Sequence, residues 1–350
     1  MKEPLSSPSG DAIWEGVDRL VDRAPTLADL RSHRIELLAV RRWRAQGRSI
    51  PEELADLERV SALHRLVVPR LLERIRAVYD GPMIVHKGPE VAAHYPDPTS
   101  RNYGDVDLLV RDAEEAQQAL LAAGFEPIGD PGLYLDIHHL RPLRWPLLPL
   151  YVEIHSRAKW VDALPGPSTE ELFEAAVPSV TTIDGVLALP PEHHALLLAV
   201  HSWAHEPLRR LRDVIDVAAV AGAAHPDEIA KLARAWGLSR LWRATDEAVS
   251  CVLADGRRPL PVRVWARNLT LVRERTVLES HLQRWLSDFS ILPARRAFSG
   301  LPKTFRRELG PEEDESWGDK LTRTGRAVRN AFTRRSEHDE ELERENIRHS

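Results

Sequence analysis

Two acidic side chains, Asp105 and Asp107, stand at the start of an apolar run that continues to Val110. Successive side chains of a β-strand point to opposite faces, so these two carboxylates would share one face. Carboxylates that close repel each other unless a cation lies between them, and Mg²⁺ prefers such oxygen ligands while keeping water and substrate phosphates. Because 53 of the 350 residues are acidic, this spacing is common by chance, and a solvated strand end with two exposed acids is the alternative.

Glu153 is the candidate third carboxylate, on a second predicted strand. It lies between Val152 and Ile154, which we expect to face the core, so its own side chain would point to the opposite face. An acid in the middle of a sheet needs a partner or a metal. The alternative to a metal is a structural salt bridge to Arg101 or Arg144.

A glycine turn, Lys87-Gly88, lies between a short predicted strand and a short predicted helix. Glycine lets the backbone approach a phosphate closely, and free N–H groups at a helix start attract anions. Lys87 adds a charge that would face a triphosphate, and Pro89 is compatible with the first helical turn. An ordinary strand-to-helix turn is the alternative, since the Gly-Lys-Ser/Thr order of a Walker A loop is absent.

Alternating strands and helices must position these groups between Gly81 and Thr182. Short apolar runs bounded by turn-forming residues predict strands. The expected strands are Met83–His86, Asp105–Val110, Leu133–Leu140, Leu150–His155 and Ser179–Ile183. The amphipathic run Asp112–Ala123 predicts a helix that ends at Gly124.

Helical spacing of apolar residues dominates on both sides of this segment. Pro51-Glu52-Glu53 has the proline and acids of a helix start, and Pro69 is expected to kink or split the helix that follows. The pattern is helical again from Pro190 to about Leu286. Trp317–Arg335 predicts a basic amphipathic helix, which would either pack against the protein or dock a membrane surface or partner.

These patterns predict an α/β (α+β) fold with four regions. They are a helical N-terminal region (1–80), a core with a mixed β-sheet (81–185), a helical C-terminal domain (186–300) and a charged helical or disordered tail (301–350).

Composition narrows the functional classes. The net charge of −5 disfavours a protein held to nucleic acid by bulk electrostatics. The only cysteine, Cys251, excludes an internal disulfide framework and a cysteine-rich zinc site. The N-terminus has no secretory signal pattern, and no apolar run is long enough for a transmembrane segment. We therefore expect a cytoplasmic protein.

The segment from Val85 to Val110 resembles the uncharacterised nucleotidyltransferase family of the polymerase-β superfamily. The similarity extends over about Leu63 to Trp242 and is looser after Ala158. The matching motifs are His86-Lys87-Gly88, Tyr95-Pro96-Asp97-Pro98 with Arg101, Gly104-Asp105-Val106-Asp107-Leu108-Leu109-Val110, Val152-Glu153-Ile154-His155, and His201 with Arg210-Leu211-Arg212-Asp213-Val214-Ile215-Asp216.

The resemblance implies a mixed sheet flanked by helices and transfer of a nucleoside monophosphate, with AMP from ATP as the expected reaction. It implies two Mg²⁺ ions, for which Mn²⁺ could substitute, with Asp105 and Asp107 bridging both and Glu153 holding one. Lys87 and Gly88 would bind the nucleotide phosphates. The chain departs from the wider superfamily by having Pro89 instead of serine after the glycine and glutamate instead of aspartate at the third acid.

The resemblance leaves other roles open. Arg101 would contact a phosphate or form a surface ion pair, and His201 would touch the nucleotide or pack against the sheet. His201 and His205 share a helix face, but a zinc hydrolase would need glutamate where Ser202 stands. We expect the acceptor to be a hydroxyl of a small molecule or protein; a tRNA end is the alternative, which the acidic net charge disfavours. The alternatives are a non-catalytic nucleotide- or partner-binding module and a kinase that transfers the γ-phosphate.

Overall fold

A mixed β-sheet forms the centre of the molecule. The computed structural model describes residues 10–134, 138–146, 148, 150–299 and 316–337. Within these residues seven strands pair in the order β3-β4-β5-β2-β1-β7-β6. They are β1 (Met83–Val85), β2 (Asp105–Val110), β3 (Glu126–Pro127), β4 (Leu143–Arg144), β5 (Tyr151–His155), β6 (Val177–Pro178) and β7 (Val186–Ala188). This mixed sheet and its helical flanks confirm the predicted α/β fold class.

Strand β2 is central, antiparallel to β1 and parallel to β5. After Asp105 every residue of β2 is buried, which is typical of a strand covered on both faces. Val106 and Leu108 enter a hydrophobic cluster with helices on one side of the sheet, and Leu109 enters a larger cluster on the other side. By alternation Asp107 shares the face of Leu109.

Four helices precede the sheet: α1 (Gly10–Arg23), α2 (Leu27–Ser32), α3 (Glu36–Ala45) and α4 (Glu52–Arg76). Helix α4 runs unbroken through Pro69, so the predicted split is wrong. Val68 and Leu72, on either side of the proline, are buried in one cluster with Met83 of β1. This shared packing maintains the helix although the proline lacks one backbone donor.

Short helices connect the strands, and a helical layer follows them. The connecting helices are α5 (Pro89–Ala92), α6 (Ala113–Ala122) and α7 (Thr169–Ala175). The later helices are α8 (Pro191–His205), α9 (Leu211–Ala221), α10 (Pro226–Ala235), α11 (Ser239–Leu253), α12 (Leu260–Val264), α13 (Arg267–Leu271), α14 (Val277–Ile291) and the tail helix α15 (Trp317–Arg329). Residues of α1, α8, α9 and α11 form the larger cluster with Leu109, so these helices cover the face of the sheet that carries Asp107.

Two of the predicted strands are wrong. Pro131–Tyr134 is a 3₁₀ turn, residues 135–137 lie outside the described residues, and His139 forms only an isolated bridge to His155. Residues 179–183 form the turn between β6 and β7 instead of a strand. There the Ser179 hydroxyl accepts a hydrogen bond from the backbone N–H of Thr181 at 3.0 Å, a local bond that competes with strand pairing.

The four-region division and the docking role of the tail stay predictions. Residues 301–315 and 338–350 of the predicted tail lie outside the described residues. Among the residues described, no helix combines the length and the apolar character needed to cross a membrane.

Candidate functional site

Three carboxylates lie on one face of the two central strands. In the parallel pair of β2 and β5, Asp107 lies opposite Glu153, and Asp105 lies opposite Tyr151. Residues in register share a face, so all three acids point toward the side covered by α8 and α9. The sheet thus assembles side chains that are separated in sequence.

Glu153 is the carboxylate most affected by this crowding. Burial raises the pKa of Glu153 to about 7, and the nearby carboxylates of Asp107 and Asp105 add to the increase. Lys87 and Lys159 oppose the shift without cancelling it. The acid cluster therefore lacks enough positive charge of its own to keep Glu153 fully ionised at neutral pH.

Asp107 has positive partners despite its burial. Its Oδ1 lies 2.9 Å from Nε2 of His155 and 3.4 Å from Nζ of Lys87. Burial favours the protonated acid, but Lys87, His155 and His86 outweigh it and hold the pKa of Asp107 well below its usual range. Its other oxygen, Oδ2, is buried and has no hydrogen-bond partner among the described residues.

Two histidines flank Asp107. The rings of His86 and His155 meet edge to face with centroids 4.9 Å apart. One ligand atom each from His86, Asp107 and His155 lies within 4.8 Å of the others. Behind them, His194 of α8 bonds through Nε2 to the carbonyl oxygen of His86 at 2.8 Å, which fixes the end of β1.

The glycine turn requires its glycine. Gly88 has φ 58° and ψ −119°, a conformation that side-chain-bearing residues rarely adopt. A Cβ there would lie 3.4 Å from the carbonyl oxygen of Asp105, so the turn packs directly against the start of the acid-bearing strand. Pro89 begins α5, as expected from the sequence.

Arg101 lies beneath this turn and is only 4% exposed. Its Nε and Nη2 donate to the two carboxylate oxygens of Asp216 at 2.8 Å each, and its Nη1 donates to the Gly88 carbonyl at 3.3 Å. Tyr95 also donates to Asp216, at 2.6 Å. The ion pair is thus buried rather than at the surface, and phosphate binding by Arg101 stays a prediction.

The salt bridge considered for Glu153 does not form with either arginine. Arg101 pairs with Asp216, and Arg144 pairs with Glu126 at the exposed end of the sheet.

A narrow cleft, with no room for a water molecule, lies beside the acids. Lys87, Lys159, His86 and His201 line it together with apolar residues. Burial lowers the pKa of His201 well below its usual value, and Lys87 lowers it further, so His201 is neutral near pH 7. Two lysines at the mouth of an acid cluster suit an anionic ligand that brings its own cation.

The residues at this face fit a divalent cation. The raised pKa of Glu153 indicates a carboxylate without sufficient counter-charge. The buried Oδ2 of Asp107 has no hydrogen-bond partner among the described residues and could serve as a ligand atom. Asp105, Asp107 and Glu153 offer the oxygen donors that Mg²⁺ prefers. His86 and His155 add nitrogen donors around the same Asp107, and imidazole nitrogen suits transition-metal ions such as Zn²⁺ or Fe²⁺ better than Mg²⁺.

Six of the seven predicted site residues border this region of the sheet: Asp105, Asp107, Glu153, Lys87, Gly88 and His201. The seventh, Arg101, lies beneath it and contacts the Gly88 carbonyl. Their chemical roles stay predictions. Sequence reasoning gave no role to His86, His155 or Lys159. The signal for the histidines was their position beside Lys87 and Glu153 in the motifs, whereas Lys159 follows the strand without any motif.

Comparison with known families assigns the chain to one of them. The model of an uncharacterised nucleotidyltransferase family matches residues 22–246, and the chain belongs to that family. The resemblance drawn from the sequence is thereby confirmed. No curated protein and no solved structure matches the chain.

Proposed function

From this family membership we propose that the protein transfers a nucleoside monophosphate, AMP from ATP, to a hydroxyl of a small-molecule or protein acceptor and releases pyrophosphate. The observation that supports it most is the pairing of Asp107 with Glu153 across two parallel strands, with Asp105 on the same face and the Gly88 turn beside it. A carboxylate cluster thus lies beside a glycine turn whose backbone a phosphate group could approach closely.

The reaction would be a displacement at the α-phosphorus. The acceptor oxygen forms a bond to that phosphorus, the bond to the bridging oxygen of the β-phosphate breaks, the hydroxyl proton passes to water, and pyrophosphate leaves. Asp105, Asp107 and Glu153 would hold Mg²⁺, or Mn²⁺, which supplies charge neutralisation and Lewis-acid activation when bound.

The protein's own groups would position the reactants. Lys87 is 19% exposed at its side chain and faces the cleft, where its charge would meet phosphate oxygens. Gly88 lets the backbone come close to the phosphates. His155 holds the Asp107 carboxylate in place through its 2.9 Å contact. Phosphoryl chemistry depends mainly on such positioning and on charge stabilisation.

Pyrophosphate release tests this proposal. The full-length chain is incubated with each of the four nucleoside triphosphates, Mg²⁺ or Mn²⁺, and a panel of hydroxyl acceptors. We expect metal-dependent pyrophosphate release that the double variant Asp105→Ala/Asp107→Ala abolishes, while the exposed-site control Asp227→Ala retains it. ADP as the product would instead indicate a kinase, and nucleotide binding without turnover on any acceptor would indicate a binding module.

A further inference from the structure

A second basic site lies between the N-terminal helices, the start of α9 and the tail. It is a cavity of about 540 Å³, a size typical of small-molecule sites. Only two glutamates line it, against six arginines. The arginines are Arg31, Arg34, Arg209, Arg210, Arg275 and Arg334. Three of them pair with acids outside the lining, Arg31 with Glu53, Arg209 with Glu206 and Arg334 with Asp29. The positive charge left to attract an anion is that of Arg34, Arg210 and Arg275.

Two of these arginines have no hydrogen-bonded partner among the described residues, although the charge of Asp213 acts on both. Arg34 and Arg210 have no side-chain hydrogen bond or ion pair within the part of the chain that the structure describes. Burial lowers the pKa of Arg34 to about 10, and the guanidinium groups of Arg212 and Arg210 lower it further, so it still carries its charge at neutral pH. Arg34 also has a left-handed backbone, φ 55°, which is costly for a non-glycine residue.

The other arginines give the cavity a fixed wall. Arg275, 3% exposed, donates to the carbonyls of Pro207 and Leu208 at 2.9 and 2.8 Å, and its buried Nε has no partner among the described residues. Arg334 is tied to Asp29 at 3.1 Å. These contacts pre-position the guanidinium groups, which reduces the entropy lost when a ligand binds.

The cavity differs from the lysine-lined cleft, and its lining residues do not include any of the three acids. The negative charge of Asp105 raises the pKa of Arg34. Arg212 donates to the carbonyl of Asn102 at 3.4 Å, three residues before Asp105. Lys87, by contrast, lies against Asp107. Arginines therefore stand on the Asp105 side of the acids and lysines on the Asp107 side. Nucleotidyl transfer needs only one anionic site, for the triphosphate.

The cavity also extends beyond the family-matched segment. Arg275 and Arg334 lie after residue 246, where the family match ends. A cavity built partly by chain outside the shared core is where acceptor preference would be set.

We propose that this arginine cavity binds the acceptor, and that the acceptor is a small oxyanion-bearing molecule with a phosphate or carboxylate group in addition to its hydroxyl. The assignment to the acceptor rests on the proposed function. Planar guanidinium forks match both kinds of oxyanion, and Arg34 and Arg210 would contact it directly.

Titration calorimetry with inorganic phosphate and with citrate tests the site and separates the two anion classes. We expect at least one to bind the wild type, and the double variant Arg34→Gln/Arg210→Gln to weaken it about tenfold or more. The matched control Arg59→Gln/Arg70→Gln removes two exposed arginines of α4 and should bind as the wild type does. The single variant Arg210→Gln, with a smaller loss, replaces the double variant if that one does not fold.

Competition identifies the occupant. Binding of phosphate or citrate should persist in the presence of Mg²⁺ and a saturating non-hydrolysable ATP analogue. Displacement by the analogue would assign the cavity to the triphosphate and overturn the proposal, as would absence of binding or equal loss in the control.

If anion binding depends on Arg34 and Arg210 but no pyrophosphate is ever released, the proposed function fails and the anion site stands. If pyrophosphate is released but anion binding is unaffected by loss of both arginines, the anion site fails and the proposed function stands.

Discussion

Arg101 and Asp216 lie 115 residues apart in the sequence and form a buried two-pronged ion pair with both hydrogen bonds at 2.8 Å. The pair joins α9 to the glycine turn, because the remaining nitrogen of Arg101 donates to the Gly88 carbonyl. Burial disfavours the charged form of Arg101, but Asp216 outweighs this and raises its pKa. The geometry makes Arg101 a support for the turn.

Replacing Asp216 with asparagine should destabilise the protein strongly. The variant leaves the Arg101 guanidinium buried without its counter-charge, a loss of about 3–5 kcal/mol in the free energy of unfolding. Urea titration followed by circular dichroism measures it. Glu170→Gln is the matched control, because Glu170 accepts the same two-pronged contact from Arg111 at the surface, where solvent screens it. Equal losses in the two variants would contradict the role of burial.

Gly88→Ala should also lower stability, by about 1–3 kcal/mol, because φ 58° with ψ −119° is strained for any residue with a Cβ. The same change at Gly104 is the control, since that glycine has an ordinary φ and open space where the Cβ would be. There alanine should be neutral or slightly stabilising. Thermal unfolding of both variants checks the difference, and similar melting temperatures would show that the Gly88 conformation is easily relaxed.

The sequence predicts the local part of this site well. Strand β2 begins and ends where its apolar run does, and Asp112 caps α6 by accepting from the Glu115 N–H at 2.9 Å. Both are decided by neighbouring residues, through alternation and capping. The shared face of Asp105 and Asp107 follows from the same alternation.

Long-range partners could not be predicted in the same way. Nothing local links Arg101 to Asp216, and strands as short as β3 and β4 contain too few residues for a periodic pattern. Similarly, the arginine cavity takes Arg34 from the turn between α2 and α3 and Arg334 from the tail. Such sites depend on how helices pack, which the periodicity of one segment does not specify.

His33 should make stability depend on pH. It is 1% exposed, and burial lowers its pKa from 6.5 to about 4. The unfolded chain therefore binds a proton at His33 at higher pH than the folded chain does. The contribution of neutral His33 to the free energy of unfolding is complete above pH 6.5 and is lost as the pH falls toward 4. The loss amounts to about 3 kcal/mol.

In the wild type, Nδ1 of His33 accepts a hydrogen bond from the Leu211 N–H at 3.2 Å. The variant His33→Asn keeps an acceptor near this N–H but cannot titrate. Urea unfolding at pH 7.5 and pH 5 should show a smaller drop in stability for this variant than for the wild type. His225→Asn, at an exposed position with 69% of its side chain accessible, is the control and should retain the wild-type drop. An unchanged drop in His33→Asn would assign the acid sensitivity to other histidines.

Lys87→Met should separate substrate binding from support of Asp107. Lys87 lies 3.4 Å from Asp107 and lines the cleft, so removal of its charge should raise the KM for the nucleoside triphosphate about tenfold or more. Initial rates of pyrophosphate release, measured against nucleotide concentration, give KM and kcat separately. Lys231→Met, an exposed lysine of α10, should change neither. A fall in kcat with KM unchanged would mean that Lys87 acts only through the Asp107 carboxylate and does not touch the triphosphate.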